Sequence, residues 1–160
     1  MDIRLRRRVQ PRVLETGALV KIGAGAIFIA KNTGRCLLQL RNNSSKRNNN
    51  TWGLWGGMVD DNETPLECLH RELTEEIAEY PGILKLNPID VFRSKDQKFI
   101  YYSFACIVED EFIPTLNEES SGYCWVDIGK WPKPLHSEVK KTLDKSGTEK
   151  LKLILDLNGK

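Results

Sequence analysis

Residues 56–80, GGMVDDNETPLECLHRELTEEIAEY, crowd together the carboxylates Asp60, Asp61, Glu63, Glu67, Glu72, Glu75, Glu76 and Glu79 around one arginine, Arg71. Read as a helix, Glu72–Glu76 and Glu75–Glu79 are like-charge pairs four residues apart. Each such pair costs an isolated helix about a few tenths of a kcal/mol. A hard divalent cation among them would remove that repulsion, since Mg²⁺ takes oxygen ligands. An acidic helix face is usually only solvated. Here, however, a Gly-Gly turn, a capped helix start, Arg71 beside Glu72 and the Glu75-Glu76 pair all fall in one segment.

That segment carries its own instructions for a helix. Thr64 is a good N-cap, Pro65 sits at the first helical position where a missing N–H costs nothing, and Glu67 completes a Thr-x-x-Glu capping box. Pro81 and Gly82 follow Tyr80, so the spacing predicts a helix ending there. Leu66, Leu69, Leu73 and Ile77 recur at three and four residues and define one apolar stripe. Glu72, Glu75, Glu76 and Glu79 share a different arc, so carboxylates project from one side of a helix anchored by its other side.

Gly57, Glu63 and the run Arg71-Glu72-Leu73-x-Glu75-Glu76 resemble the Nudix box of pyrophosphohydrolases that act on nucleoside diphosphates linked to another group. The match spans the first twenty positions of a 23-residue signature. It departs at Ala78, where the family has glycine, and at Glu79, where it has an apolar residue. The resemblance implies that Glu72, Glu75 and Glu76 bind Mg²⁺ or Mn²⁺, and that one of them orients or deprotonates the attacking water. It implies that Arg71 holds a carboxylate, with Glu72 the first choice, and that Glu63 is a structural partner near the helix start or a more remote metal-shell group. The Gly56 carbonyl would face the metal. Bound metal lowers the pKa of water, bridges phosphate oxygens and offsets charge on the leaving group, and a nearby carboxylate can take the proton.

Other site residues are sought outside the box. Family members often supply a further metal-binding glutamate from the loop before a strand carrying a tryptophan. Glu119, six residues ahead of Trp125, is the choice, with Glu118 second. The stretch 42–50, NNSSKRNNN, is a polar loop with no apolar anchor. Lys46 or Arg47 could reach phosphate from it, and Arg41 at its root is a third candidate. Trp55 stands where the family commonly has proline. Core packing is its safer role, stacking on substrate the bolder one. His136 is an acid/base candidate, although a connector histidine is more often structural.

The remaining chain must position these groups. Residues 17–30, GALVKIGAGAIFIA, are strand-prone. Gly23 and Gly25 do not open a helix, so they suit close backbone approach rather than a nucleotide fingerprint. Residues 31–34 form a turn and 35–41 the return strand of a hairpin. Residues 83–93, 98–108 and 122–128 are further strands, the second rich in aromatic and β-branched side chains. One or two helices fill 136–157, with Ser146-Gly147 between them and Thr148 as a cap. Strands flanked by helices give an α/β (α+β) class, and the Nudix resemblance supplies an α/β/α sandwich with a mixed sheet. A basic extension over 1–16 is expected before one domain over 17–160.

Composition sets outer bounds. The chain has 160 residues, 40% hydrophobic and 29% charged, which suits a globular domain. No run of 18 apolar residues suggests a membrane span, and MDIRLRRRVQ lacks the apolar stretch of a secretory signal. Cys36, Cys68, Cys106 and Cys124 are scattered and form no zinc spacing, as expected of reduced thiols in a cytoplasmic protein. The net charge of +2 hides a basic first fifty residues ahead of the acidic box. A basic flank beside an acidic metal site suits a polyphosphate ligand. It equally suits an N-terminal arm that touches nucleic acid or RNA, or a solvated tail, and a tail or packing role is the first choice.

The expectation is a Mg²⁺-dependent pyrophosphohydrolase of a small nucleotide: a nucleoside triphosphate, a nucleotide sugar, ADP-ribose or a dinucleoside polyphosphate. Removal of pyrophosphate from an RNA 5′ end and a catalytically silent nucleotide- or RNA-binding module are the alternatives. A homodimer is plausible from the family.

Overall fold

The computed structural model describes residues 19–42 and 49–159. The basic arm over 1–16, with the RNA contact suggested for it, and Lys46 and Arg47 lie outside those residues.

Among the described residues, seven strands form one sheet: β1 (Lys21–Ala30), β2 (Arg35–Arg41), β3 (Trp52–Gly53), β4 (Trp55–Met58), β5 (Lys85–Arg93), β6 (Phe99–Val108) and β7 (Ser120–Asp127). The central path runs β3-β2-β1-β6-β5, with β4 paired to β1 and β7 to β2. β1 lies parallel to β6 along its whole length, from Lys21↔Phe99 to Ala30↔Val108. Its other pairings are antiparallel, so the sheet is mixed. β1 shares its second edge: Phe28 and Ile29 pair with β2, while Gly23 to Ala26 pair with β4. That division brings Gly56 and Gly57, which lie within β4 and not in the turn expected of them, to the middle of the sheet.

Helices cover both faces. α1 (Pro65–Ile77) packs with Ala24, Ala26, Phe28, Leu37 and Trp55. Beyond α2 (Val139–Thr142), α3 (Lys145–Gly159) packs with Ile27, Ile29, Leu38, Ala105 and Ile107. β1 feeds both layers by alternation, as a strand buried on two faces must. The α/β/α sandwich expected from the resemblance is the fold observed.

Small residues on β1 do their work on the α3 face. A Cβ on Gly23 would lie 2.6 Å from the Tyr101 ring, and one on Gly25 would lie 1.9 Å from its hydroxyl. The close approach expected there is made by Tyr101, an aromatic neighbour on β6.

Three expectations need correction. The helix in the acidic segment ends at Ile77, not Tyr80. Ala78 turns the chain with φ 66° and ψ −87°, a conformation disfavoured for any residue with a Cβ. Tyr80, freed from the helix, packs toward Phe28 and its hydroxyl meets His70 Nδ1 at 2.7 Å. Second, Leu66 is 52% exposed although it lies at the same helical angle as Leu73, because it sits in the first turn; Cys68 is buried instead. Third, Ser146 and Gly147 do not separate the last two helices. They form the first turn of α3, where Asp144 Oδ1 accepts from the Gly147 N–H at 2.8 Å and so acts as the cap. Thr148 instead donates from Oγ1 to the Leu143 carbonyl.

The Ala78 turn gives a direct test. Ala78→Gly removes the Cβ at a positive φ and is expected to stabilise the protein by about 1 kcal/mol. Chemical denaturation of the two proteins reads this, and a destabilised variant would refute the strain.

Candidate metal and phosphate site

The acidic helix is set by its ends. Thr64 Oγ1 accepts from the Glu67 N–H at 3.2 Å, and Glu67 Oε1 accepts from the Thr64 N–H at 3.3 Å. This capping box fixes where α1 begins, and therefore the angle of every carboxylate after it. Leu69, Leu73 and Ile77 are almost fully buried against the sheet. Each such side chain contributes about 1.5–3 kcal/mol of burial.

Glu76 falls within this stripe, three residues after Leu73 and seven after Leu69. It is accordingly 1% exposed. Its Oε1 accepts from the Gly56 N–H at 3.2 Å. Its Oε2 is buried with no hydrogen-bond partner among the described residues. Burial first, then the charges of Glu72 and Glu119, push its pKa up to about 9. Burial also raises Glu72, although Arg71 opposes the shift.

Glu72, Glu76 and Glu119 each place a carboxylate oxygen within 4.8 Å of the others. Glu119 arrives from the loop before β7, as the resemblance implied, and it rather than Glu118 joins this group. Glu75 does not belong to it. At roughly 100° per residue, Glu72 and Glu76 lie about 40° apart, with Glu75 off to the other side of Glu72. Its side chain is 54% exposed and reaches Arg71 at 3.4 Å.

Arg71 ties the helix start to the cluster. It donates from Nε to Glu63 Oε2 at 2.7 Å and from Nη2 to Glu63 Oε1 at 2.8 Å. From Nη1 it donates to Glu72 Oε1 at 2.9 Å, and from Nη2 to the Met58 carbonyl at 3.0 Å. The resemblance pointed first to Glu72, but the two-pronged bond to Glu63 is the stronger link. Glu63 is 3% exposed and also accepts the Asp60 N–H at 2.9 Å. Glu63, Arg71 and Glu72 therefore form one connected unit.

The paired glycines of β4 supply room. Gly56 has φ 154°, and a Cβ there would lie 2.1 Å from the Ala24 carbonyl oxygen. A Cβ on Gly57 would lie 2.4 Å from Glu72 Oε1. Gly57→Ala is thus expected to push the Glu72 carboxylate out of place, lowering turnover at least about tenfold while the unfolding midpoint moves little. Wild-type turnover in that variant would show that Glu72 need not sit against Gly57.

Gln39, Arg41, Gly56, Gly57, Arg71, Glu72, Glu76 and Glu119 line one cleft of about 570 Å³. Arg41 thus lies at the cleft, where a cation can meet phosphate. Trp55 does not: it is 0% exposed, and its Nε1 donates to the Leu37 carbonyl at 3.2 Å. Trp55 packs the core between α1 and the sheet, so the substrate-stacking role is corrected. His136 lies in a neighbouring small cavity, with Arg41 and Tyr101. Its Nδ1 accepts from the Glu138 N–H at 3.1 Å. Burial and the Arg41 charge lower its pKa to about 4, so at neutral pH it is uncharged.

The donor set suits a hard divalent cation. It is all oxygen, and among the described residues one of its buried oxygens, Glu76 Oε2, has no hydrogen bond. Gln39 was missed in the sequence. A polar residue alternating with buried leucines on a strand carries no signal until its neighbours are known.

The NUDIX domain family model matches residues 20–145, and the chain belongs to that family. By class it is a hydrolase acting on phosphoanhydride bonds. No curated protein matches the chain in sequence. Among solved structures, a MutT protein from Methanosarcina mazei Go1 is similar at 24% identity, covering 86% of this chain and 98% of that one, with TM-score 0.66. The NUDIX domain of Shewanella oneidensis NrtR complexed with ADP ribose is similar at 16% identity, covering 94% of each chain, with TM-score 0.61. A Francisella tularensis bifunctional NMN adenylyltransferase/ADP ribose pyrophosphatase, complexed with AMP and Mn ion, matches at 18% identity and TM-score 0.56. That match covers 88% of this chain and 42% of the bifunctional protein.

Proposed function

We propose that this protein is a Mg²⁺- or Mn²⁺-dependent pyrophosphohydrolase that cleaves a phosphoanhydride bond in a small nucleotide. The observation that carries the reading is the convergence of Glu72, Glu76 and Glu119 in a cleft that also holds Arg41 and Arg71. Bound there, the metal would supply charge neutralisation on the diphosphate and a lowered pKa for water.

The chain's own groups divide the remaining work. Glu72, Glu76 and Glu119 hold the cation. Arg71 locks Glu72 and is in turn locked by Glu63. Gly56 and Gly57 leave space for carboxylate and substrate to approach the backbone. Arg41 meets phosphate oxygens at the cleft wall. Glu75, on the far side of Glu72 from Glu76 and more open to water, is kept as a candidate for receiving the proton of the attacking water.

The sequence similarity of the solved structures is low, so ADP-ribose is the substrate class to try first rather than a conclusion, and AMP, which has no anhydride bond to cleave, fits only as a product. The assay is turnover on nucleoside triphosphates, nucleotide sugars, ADP-ribose and dinucleoside polyphosphates, read by mass spectrometry with and without Mg²⁺. Cleavage at an anhydride bond, lost in EDTA and restored by Mg²⁺, is expected. Ligand binding with no turnover on any member would sink the enzymatic reading and favour a silent binding module.

A further inference from the structure

Glu119 is the one member of the carboxylate group that does not stand on α1. Its loop leaves β6 at Val108 and returns to the sheet at Ser120. Several contacts hold the first part of that loop, among them the Asn32 N–H donating to the Glu109 carbonyl at 3.1 Å. Asn32 Nδ2 donates to Asp110, Arg35 pairs with Glu111, and Trp125 Nε1 donates to the Phe112 carbonyl at 3.0 Å. These contacts lie far along the loop from Glu119 and do not touch α1.

Asn117 does. Its Nδ2 donates to the Glu75 carbonyl at 3.0 Å, on the last turn of α1. Its Oδ1 accepts from the Glu119 N–H at 2.9 Å. Its own carbonyl accepts the Ser120 N–H at 3.3 Å. One amide side chain therefore joins the helix that carries Glu72 and Glu76 to the backbone of Glu119. On the far side of Glu119, its carbonyl accepts from the Asn42 N–H at 3.1 Å, at the end of β2. The next residue is fixed too: Ser120 Oγ donates to Gln39 Oε1 at 2.5 Å, and Gln39 Nε2 donates to the Leu54 carbonyl at 2.7 Å.

The bond to Glu75 has a second reason to form. The last carbonyls of a helix lack intrahelical partners. At the end of α1 the chain turns away at Ala78, so an external donor satisfies a group that water would otherwise have to reach.

We propose that Asn117 is a positioning residue. By pinning the Glu119 backbone to the end of α1, it sets the distance between Glu119 and the two helical glutamates, and so the affinity of the site for a divalent cation. The inference rests on the metal role given to Glu119 above. Asn117 itself touches neither metal nor substrate in this account. It acts as hydrogen-bonded outer groups do at metal sites, where their loss typically weakens binding about 10–100-fold.

The test is Mn²⁺ binding by calorimetry, free of substrate, to wild type, Asn117→Ala and Glu111→Gln. Asn117→Ala is expected to raise the Mn²⁺ Kd about tenfold, with its unfolding midpoint in EDTA close to wild type. At saturating Mn²⁺ its kcat should return most of the way. Glu111→Gln loosens the same loop at an anchor that does not meet α1, and should leave the Kd unchanged. Equal Kd values for all three proteins, or an equal loss in both variants, would overturn the positioning role. If wild type itself binds no Mn²⁺, the proposed function fails before this inference is reached. Should Asn117→Ala not fold, amide exchange in the metal-free wild type decides. The Glu119 N–H should be protected relative to Glu118, and unprotected exchange would show that the pin does not hold.

Discussion

Glu76→Gln is expected to lose at least about 100-fold in turnover while the metal-free protein becomes no less stable, and at alkaline pH more stable. Both effects come from one burial. Glu76 sits in the apolar stripe of α1, and its folded pKa is about 9 against an ordinary 4.5. A folded form that keeps its proton while the unfolded chain releases it is favoured at low pH. Its contribution is fully present below 4.5 and is lost as pH rises through about 9. Glutamine cannot ionise, so the variant lacks this loss. It can still accept the Gly56 N–H, which keeps α1 tied to β4. What it cannot do is offer a carboxylate to a cation. Thermal melts from pH 5 to 9 in EDTA, then with Mg²⁺, separate the two effects. Wild type should gain stability on adding Mg²⁺ and the variant should gain far less. A variant that loses stability at every pH would mean that Glu76 is held by contacts other than those described.

Arg71→Ala is expected to destabilise the protein by about 3 kcal/mol and to remove most activity as well. The figure is the low end for breaking a buried pair, because Glu63 is 4% exposed while Arg71 is 27% exposed. Without the guanidinium, the Glu63 carboxylate remains in a site too dry for a lone charge. Glu72 loses the group that fixes its Oε1. Arg71→Lys should recover only part of either loss, since a point charge cannot reach both Glu63 oxygens and Glu72 together. Glu63→Gln in the Arg71→Ala background should restore stability but not turnover. Urea denaturation of the four proteins reads the stability half. If Arg71→Ala and wild type unfold at the same midpoint, the clamp is not a structural element.

Much of this was legible because it is local. Thr64, Pro65 and Glu67 specify a helix start within four residues, and the start then fixes the angles of Glu72 and Glu76. The strand over Phe99–Val108 was legible for the same reason: its residue types leave little else to form. The far end of α1 was not. Ala78 offers no signal for a positive φ, and the proline at 81 drew the boundary three residues too late. Ser146-Gly147 looked like a break. Yet Gly147 lies within a helix turn where a Cβ would come 1.7 Å from the Thr142 carbonyl oxygen, so the glycine serves close packing instead.

The site shows the same limit. Glu119 was found through family resemblance, not through its neighbours in sequence. Trp55 stands next to the glycines of the cleft, but strand alternation sends its side chain to the opposite side, into the core. Gln39 and Asn117 reach the site through partners that are 81 and 42 residues away. Contacts at that separation are set by how the sheet and its helices stack, and no periodicity in the chain announces them.

No helix among the described residues is long and apolar enough to cross a membrane. Cys36, Cys68 and Cys106 are buried, and the four cysteines are free thiols. Burial pushes the Cys68 thiol, which lies beneath Arg71, up to about 12. It is therefore a packing residue and not a nucleophile.

The central claim concerns three carboxylates and one cation. Crystals soaked in Mn²⁺ and measured for anomalous scattering test it most directly. The account predicts a peak in the cleft within about 2.3 Å of oxygens from Glu76 and at least one of Glu72 and Glu119. A cleft without any peak at saturating Mn²⁺, or an ion held there by none of these three glutamates, would contradict it.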